Sequence, residues 1–253
     1  MLYLLLSNWL LIAVLMTLAW FIYLKLKNPG LIDLFWPISI LLSGLHYYFK
    51  GDITAISLLP VALLVLWALR LAGYLFIFRI KPNLFEKRYD FVTEKSNKNK
   101  NLLFFIHYQF QGFLAMFIAL PFYFIGHYEQ NSILIYVTSA LILIFIAGES
   151  LADIQLQQFR TAQPKKVCNI GLWQYSRHPN YFFEWLIWLG FALAGSSSLI
   201  GLLGFLSPIL LLFLMLKLTL PITEQASIKS RGAEYLNYQK KVPAFFPKIT
   251  KEY

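Results

Sequence analysis

The amino-acid sequence predicts an all-α, polytopic membrane protein with seven transmembrane helices, its N-terminus outside and its C-terminus in the cytoplasm. Three observations carry this. Of 253 residues, 58% are hydrophobic and only 13% charged, with a mean hydropathy of +0.60, which is the composition of a membrane protein and not of a water-soluble globule. Seven apolar stretches approach the length of about 20 residues that a bilayer crossing requires. Twenty of the 22 lysines and arginines then fall on one side of a seven-span arrangement; Lys50 stands alone on the other side and Arg70 lies within a span. The positive-inside rule makes that basic side cytoplasmic.

In chain order, Leu2–Leu24 is the first span. It begins without a basic lead-in, so it reads as a retained helix and not a cleaved signal peptide. Leu31–Phe49 is the second, interrupted by Pro37 and Gly44, and Ile53–Ile80 is the third. Lys81–Asn101 is a polar loop ending in KSNKNKN. Leu102–Gly126 is the fourth span. Ser132–Gly148 is the fifth, and its helix is expected to continue as a polar extension through Arg160. After the loop Thr161–His178 comes a short sixth span, Tyr181–Ala194, which Ser196–Ser198 turns into the seventh, Leu199–Leu220. A polar tail begins at Pro221. No strand pattern and no internal repeat compete with the helices, and the chain reads as one transmembrane domain, residues 1–253.

Several function classes are set aside at this point. The net charge of +10 follows from the one-sided loops and their attraction to anionic headgroups, so nucleic-acid binding is not needed to explain it. Cys168 is the single cysteine, and His46, His107, His127 and His178 form no close-spaced ligand pattern; a metal site is not expected. No GxGxxG follows a strand, so a soluble-type dinucleotide fold is absent.

The densest polar chemistry is Gly171–Trp185, GLWQYSRHPNYFFEW. Pro179 suits the first turn of a helix, where its missing N–H costs nothing. Arg177, His178 and Asn180 therefore gather at a helix start, with its free N–H groups and positive dipole end, a natural place for a phosphate or carboxylate. Glu184 lies one turn deeper on the Asn180 face. In the fifth helix Glu149, Asp153 and Gln157 form a stripe at i, i+4, i+8, with Arg160 on nearly the same face. Such a stripe must face protein or a water-filled cavity, or else lie in the interface. In the tail, Tyr235 and Tyr238 are three apart and share a helix face. Arg70, deep in the third span, calls for a facing carboxylate. Asp33, in LIDLFWP, is either an interfacial cap or a functional acid.

These residues resemble a family. GLWQYSRHPNYFFEW, preceded by LADIQLQQFR and followed by YLNYQKKVPAFFP, looks like the bacterial branch of steroid 5-alpha-reductase-like membrane proteins, a branch catalogued as a domain of unknown function. LIDLFWP, LWALRLAGYLFIFR with the following EKRYD, and QGFLAMFIALP extend the likeness over most of the chain. The RHPxY element and the VPxFxP-like tail are also shared with isoprenylcysteine carboxyl methyltransferases.

The resemblance implies NADPH bound by the C-terminal half, residues 102–253, and hydride transfer to an activated carbon–carbon double bond of a lipid or steroid-like enone. Asn180 and Glu184 match the family's cofactor-contacting Asn and Glu, and Asp153 and Arg160 match its Asp and Arg seven apart. Arg177 and His178 are expected near the phosphates, with Tyr235 and Tyr238 in the same pocket. With Arg70 set against the family's arginine, its carbonyl-protonating tyrosine falls on Trp67; its Gln-Glu acid pair is missing, with Asp33 the nearest replacement, and Asp33 or a tyrosine such as Tyr74 is the expected catalytic residue. The expectation is a bacterial inner-membrane reductase. Its alternatives are an S-adenosylmethionine-dependent methyltransferase and a non-catalytic lipid-binding membrane protein.

Overall fold

The computed structural model describes residues 2–82 and 99–248; EKRYD, most of the Lys81–Asn101 loop and Lys251 lie outside the described residues. Among these residues all regular structure is helical. Five helical segments are long and apolar enough to cross a membrane: Leu2–Leu26, Leu58–Ile80, Lys100–Ile118, Ser132–Ala162 and Ile200–Arg231. The chain is thus a multi-pass membrane protein. The other two expected spans are helices but shorter, Leu31–Tyr48 and Pro179–Ala194. At 1.5 Å per residue they extend about 27 and about 24 Å, against a hydrocarbon core of about 30 Å.

The residues cluster into two compact units. The first, Met1–Ser139 with Phe191–Ser207, holds α1 (Leu2–Leu26), α2 (Leu31–Tyr48), α3 (Leu58–Leu75), α4 (Lys100–Ile118) and α5 (Pro121–His127). α3 continues into one π turn, Phe76–Ile80. The expected fourth span is divided between α4 and α5. Pro121 cannot donate to the ladder and its ring collides with the preceding turn, so it starts a new helix. The core of this unit joins Ile12, Met16, Ala19 and Tyr23 of α1, Leu31 and Ile32 of α2, and Phe104, Tyr108 and Met116 of α4. Gly112 allows α4 to approach α1 closely: a Cβ there would come within 2.9 Å of both Ile12 and Met16.

The second unit, Ala140–Gly190 with Pro208–Tyr253, holds most of α6 (Ser132–Ala162) and α7 (Pro179–Ala194), then α8 (Leu206–Leu214), α9 (Leu220–Arg231) and α10 (Ala233–Lys241). α6 is one unbroken helix of 31 residues, so the expected polar extension is present. Its buried face runs Ile142, Ile146, Glu149, Asp153 at helical spacing, while Leu143, Ile144, Leu151 and Ile154 are exposed. α7 begins at Pro179. Between α8 and α9 the helix widens to a π turn, Met215–Thr219, immediately ahead of Pro221. The wider turn accommodates the ring, and helix continues to Arg231 instead of ending near Leu220. Gly232, at φ +58, turns the chain into α10.

Candidate functional site

The site is built in the second unit, from the loop between α6 and α7 and the tail helices that hold it. Gly171 takes φ +57, a conformation open to glycine at little cost. It lies against α6: a Cβ there would sit 2.5 Å from the Gln155 carboxamide. Gln155 Oε1 accepts the Leu172 N–H at 2.9 Å, and the Trp173 indole N–H donates to the Ala152 carbonyl at 2.9 Å. α9 and α10 fasten the same loop from its other end. The Val167 N–H donates to Glu234 Oε1 at 2.9 Å, Arg231 Nε donates to the Lys166 carbonyl at 3.1 Å, and the Tyr238 hydroxyl donates to the Trp173 carbonyl.

The RHPN segment is the centre of a clasp. Arg177 Nε donates to Glu224 Oε1 at 2.6 Å, and Nη1 donates to the carbonyls of Gln239 and Val242 at 3.1 and 2.6 Å. Its backbone N–H reaches the Pro243 carbonyl at 2.9 Å. The Ser176 hydroxyl donates to the Phe245 carbonyl at 2.8 Å, and the Lys248 N–H to the Tyr175 carbonyl at 3.0 Å. Glu224 is the hub: Oε1 also faces His178 Nε2 at 3.3 Å, and Oε2 accepts Gln239 Nε2 at 3.0 Å. His178 stacks on Tyr181 with centroids 5.3 Å apart. The strap Val242–Pro247 then lays Phe245 and Phe246 against Phe182 and Trp185 of α7. RHPNY and VPAFFP, about 65 residues apart in sequence, are two sides of one device.

Beside this clasp lies a group of buried polar side chains. Glu149 and Asp153 are each 4% exposed and Glu184 is 7% exposed, an uncommon burial for carboxylates. Asn180, in the first turn of α7, donates from Nδ2 to Asp153 Oδ1 at 3.2 Å. Its Oδ1 is buried and has no hydrogen-bond partner in the protein. Glu184 Oε1 accepts the Trp188 indole N–H at 3.0 Å. Arg160 is exposed, as are Lys165 and Lys166.

Of the residues expected to bind a cofactor, Asp153 and Asn180 are in direct contact and Arg177 and His178 share Glu224. Arg177 directs Nε and Nη1 at protein acceptors, and Tyr235 and Tyr238 pack with Val167 and Val242 inside the clasp. Burial, and then the charge of Glu224, push the Tyr235 phenol up to about 12. Burial likewise raises the Cys168 thiol above its ordinary value, which makes it a poor nucleophile.

The expected catalytic residues belong to the first unit. Asp33 Oδ2 pairs with Arg79 Nη1 at 3.4 Å, and the Tyr74 ring packs on Phe78 at 5.2 Å. Trp67 is fully buried. Sequence reasoning passed over Tyr108, fully buried on α4, whose ring lies 6.1 Å from that of Tyr23 and within electrostatic reach of Asp33. A tyrosine on the inward stripe of α4, four residues from Phe104, was the available signal. It also left out the hub role of Glu224 and its partner Gln239.

The chain matches the family model described as "Protein of unknown function (DUF1295)" over residues 19–242. It is also similar to Uncharacterized protein C594.04c of Schizosaccharomyces pombe, at 27% identity, with 91% of this chain and 76% of that protein covered. The matched residues take in α2 to α10, with the Asp33–Arg79 pair and the clasp as far as Val242: the chain belongs to the DUF1295 family of proteins of unknown function.

Proposed function

We propose that this protein is an NADPH-dependent membrane oxidoreductase of the steroid 5-alpha-reductase-like kind, reducing an activated C=C bond of a lipid or steroid-like enone. One observation carries the reading most: Asn180 has its amide nitrogen anchored on buried Asp153 and its carbonyl oxygen buried without a partner. A buried acceptor left unmade is costly, and a ligand that donates to it removes the cost. Asp153, Glu184 and the Asn180 carbonyl form an acceptor-rich set, suited to the donors of a nicotinamide nucleotide, its ribose hydroxyls and its carboxamide. Phosphates need cations. Arg160 in the last turn of α6 and Lys165 and Lys166 of the adjoining loop supply them, while Arg177 serves by holding that loop and the start of α7 in place.

NADPH, when bound, supplies the hydride. The chain's own task is to orient the cofactor through Asp153, Asn180 and Glu184 and to stabilise negative charge developing on the acceptor's carbonyl oxygen. Asp33 and Tyr74 are the residues assigned to the second task. The proposed setting is a bacterial inner membrane, with seven spans, the N-terminus outside and the clasp at the cytoplasmic face. The test is the melting temperature of the purified protein in detergent. NADPH should raise it more than NADH does, following mass action at about 2.7 kcal/mol for a hundredfold excess over Kd. A shift with S-adenosylmethionine and none with NADPH overturns the reductase reading in favour of a methyltransferase.

A further inference from the structure

A second polar centre lies in the first unit, built from residues that neither the clasp nor the proposed cofactor site uses. The inward stripe of α1 runs Leu4, Asn8, Ile12, Met16, Ala19, Tyr23, so one asparagine interrupts an apolar series. α2 presents Ser39, Ser43 and Tyr47 at i, i+4, i+8, all buried. The two helices run antiparallel, because Ser7 Oγ meets His46 Nε2 at 3.0 Å and the Ser39 hydroxyl meets Met16 Sδ at 3.7 Å. Asn8 thus falls opposite Ser43 and Tyr47, and it is the polar neighbour of the Tyr47 hydroxyl.

Asn8 and Ser43 are completely buried and Tyr47 is 1% exposed. Yet both amide atoms of Asn8, the Ser43 hydroxyl and the Tyr47 hydroxyl have no partner at good hydrogen-bond geometry in the protein, the loose approach of Asn8 to the Tyr47 hydroxyl being the one side-chain interaction among them. Ser43 is the telling case. In an apolar helix a hydroxyl ordinarily bonds back to the carbonyl four residues earlier, as Thr17, Ser39, Thr138 and Ser150 do here at 2.7–2.8 Å. Ser43 forgoes that bond. Four orphaned polar atoms gathered at one place inside a membrane helix pair are expensive unless something fills the space among them. The group contains donors and acceptors together and no charged side chain, so its occupant must be neutral and must both donate and accept. That is the chemistry of a hydroxyl group.

We infer that Asn8, Ser43 and Tyr47 form a binding site for a neutral hydroxyl, carried by a sequestered water or by an alcohol-bearing lipid. This site is independent of the nucleotide reading and stands if that reading fails.

Melting curves of Asn8→Leu and Tyr47→Phe in detergent test it. Asn8→Leu keeps the number and branching of the side-chain heavy atoms, and Tyr47→Phe removes a single oxygen, so both are expected to fold. If the hydroxyl is present, each variant melts lower than the wild type, and the double variant loses less than the two losses added, because both residues bond the same occupant. If the atoms are bare, Asn8→Leu removes unmet polar groups and melts higher, which overturns the proposal. Two further measurements separate the sources in wild-type protein. Radiolytic footprinting that labels buried Tyr47, with the label lost in Asn8→Leu, identifies water. Native mass spectrometry showing an alcohol-bearing lipid adduct, lost in Asn8→Leu, identifies lipid. Neither label nor adduct also overturns it.

Discussion

Arg177 offers the sharpest test of how this site is built, because sequence placed it at a ligand's phosphates and the structure places it in a clasp. The perturbation is Arg177→Gln, which keeps a polar side chain but removes the charge and the fork. Arg177 and Glu224 are only 11% and 17% exposed, so solvent screens their interaction little. Breaking such a pair from one side leaves an uncompensated, mostly buried charge and typically costs about 3–5 kcal/mol. The lost bonds to the Gln239 and Val242 carbonyls belong to the same event and are not added again. At about 2–4 °C per kcal/mol for a chain of this size, apo Arg177→Gln should melt about 6–20 °C lower. The assay is melting in detergent, with and without NADPH. Glu224→Gln should show a comparable fall, and the double variant should fall by less than the two together. An apo melting temperature equal to the wild type, combined with loss of the NADPH-induced shift, would refute the clasp and return Arg177 to the ligand.

Three more outcomes are expected. Glu184→Gln keeps an acceptor for the Trp188 indole N–H, so it should melt like the wild type but bind NADPH about ten- to a hundredfold more weakly, read by titration. A cytoplasm-dependent fluorescent reporter fused to the C-terminus should be bright; a dark fusion at normal expression reverses the orientation. Tyr235 releases its proton at about 12 when folded and at 10.0 when unfolded. Its contribution is therefore complete below pH 10 and is lost between pH 10 and 12, as the unfolded chain deprotonates first. Tyr235→Phe should flatten that part of the stability-versus-pH curve, and an unchanged slope would contradict the burial of the phenol.

The helices themselves were legible because their signals are local. Apolar length marks the spans, Pro179 marks the start of α7, and the spacing of Glu149 and Asp153 puts both on the buried face of α6. Two prolines account for the fourth span and the last helix: Pro121 divided the one, and Pro221, absorbed by a π turn, let the other run on to Arg231, while the third span starts at Leu58 and not at Ile53. Even Tyr235 and Tyr238 sharing a face followed from a spacing of three.

What sequence alone determined is thus which residues are polar in an apolar chain and which helix face each occupies. Tertiary structure decided whom they meet. Arg177 and Glu224 are 47 residues apart, Asp33 and Arg79 are 46 apart, and no periodicity connects either pair. An arginine at a helix start attracts a phosphate and a carboxylate alike, and its charge and spacing are the same in both cases. The choice is made by which acceptor the folded chain brings within about 3 Å, where a charge-assisted bond forms in a medium of low dielectric. For Arg177 the fold brought its own tail; for the Asn180 carbonyl oxygen, and for the atoms of Asn8, Ser43 and Tyr47, it brought no protein partner at good hydrogen-bond geometry.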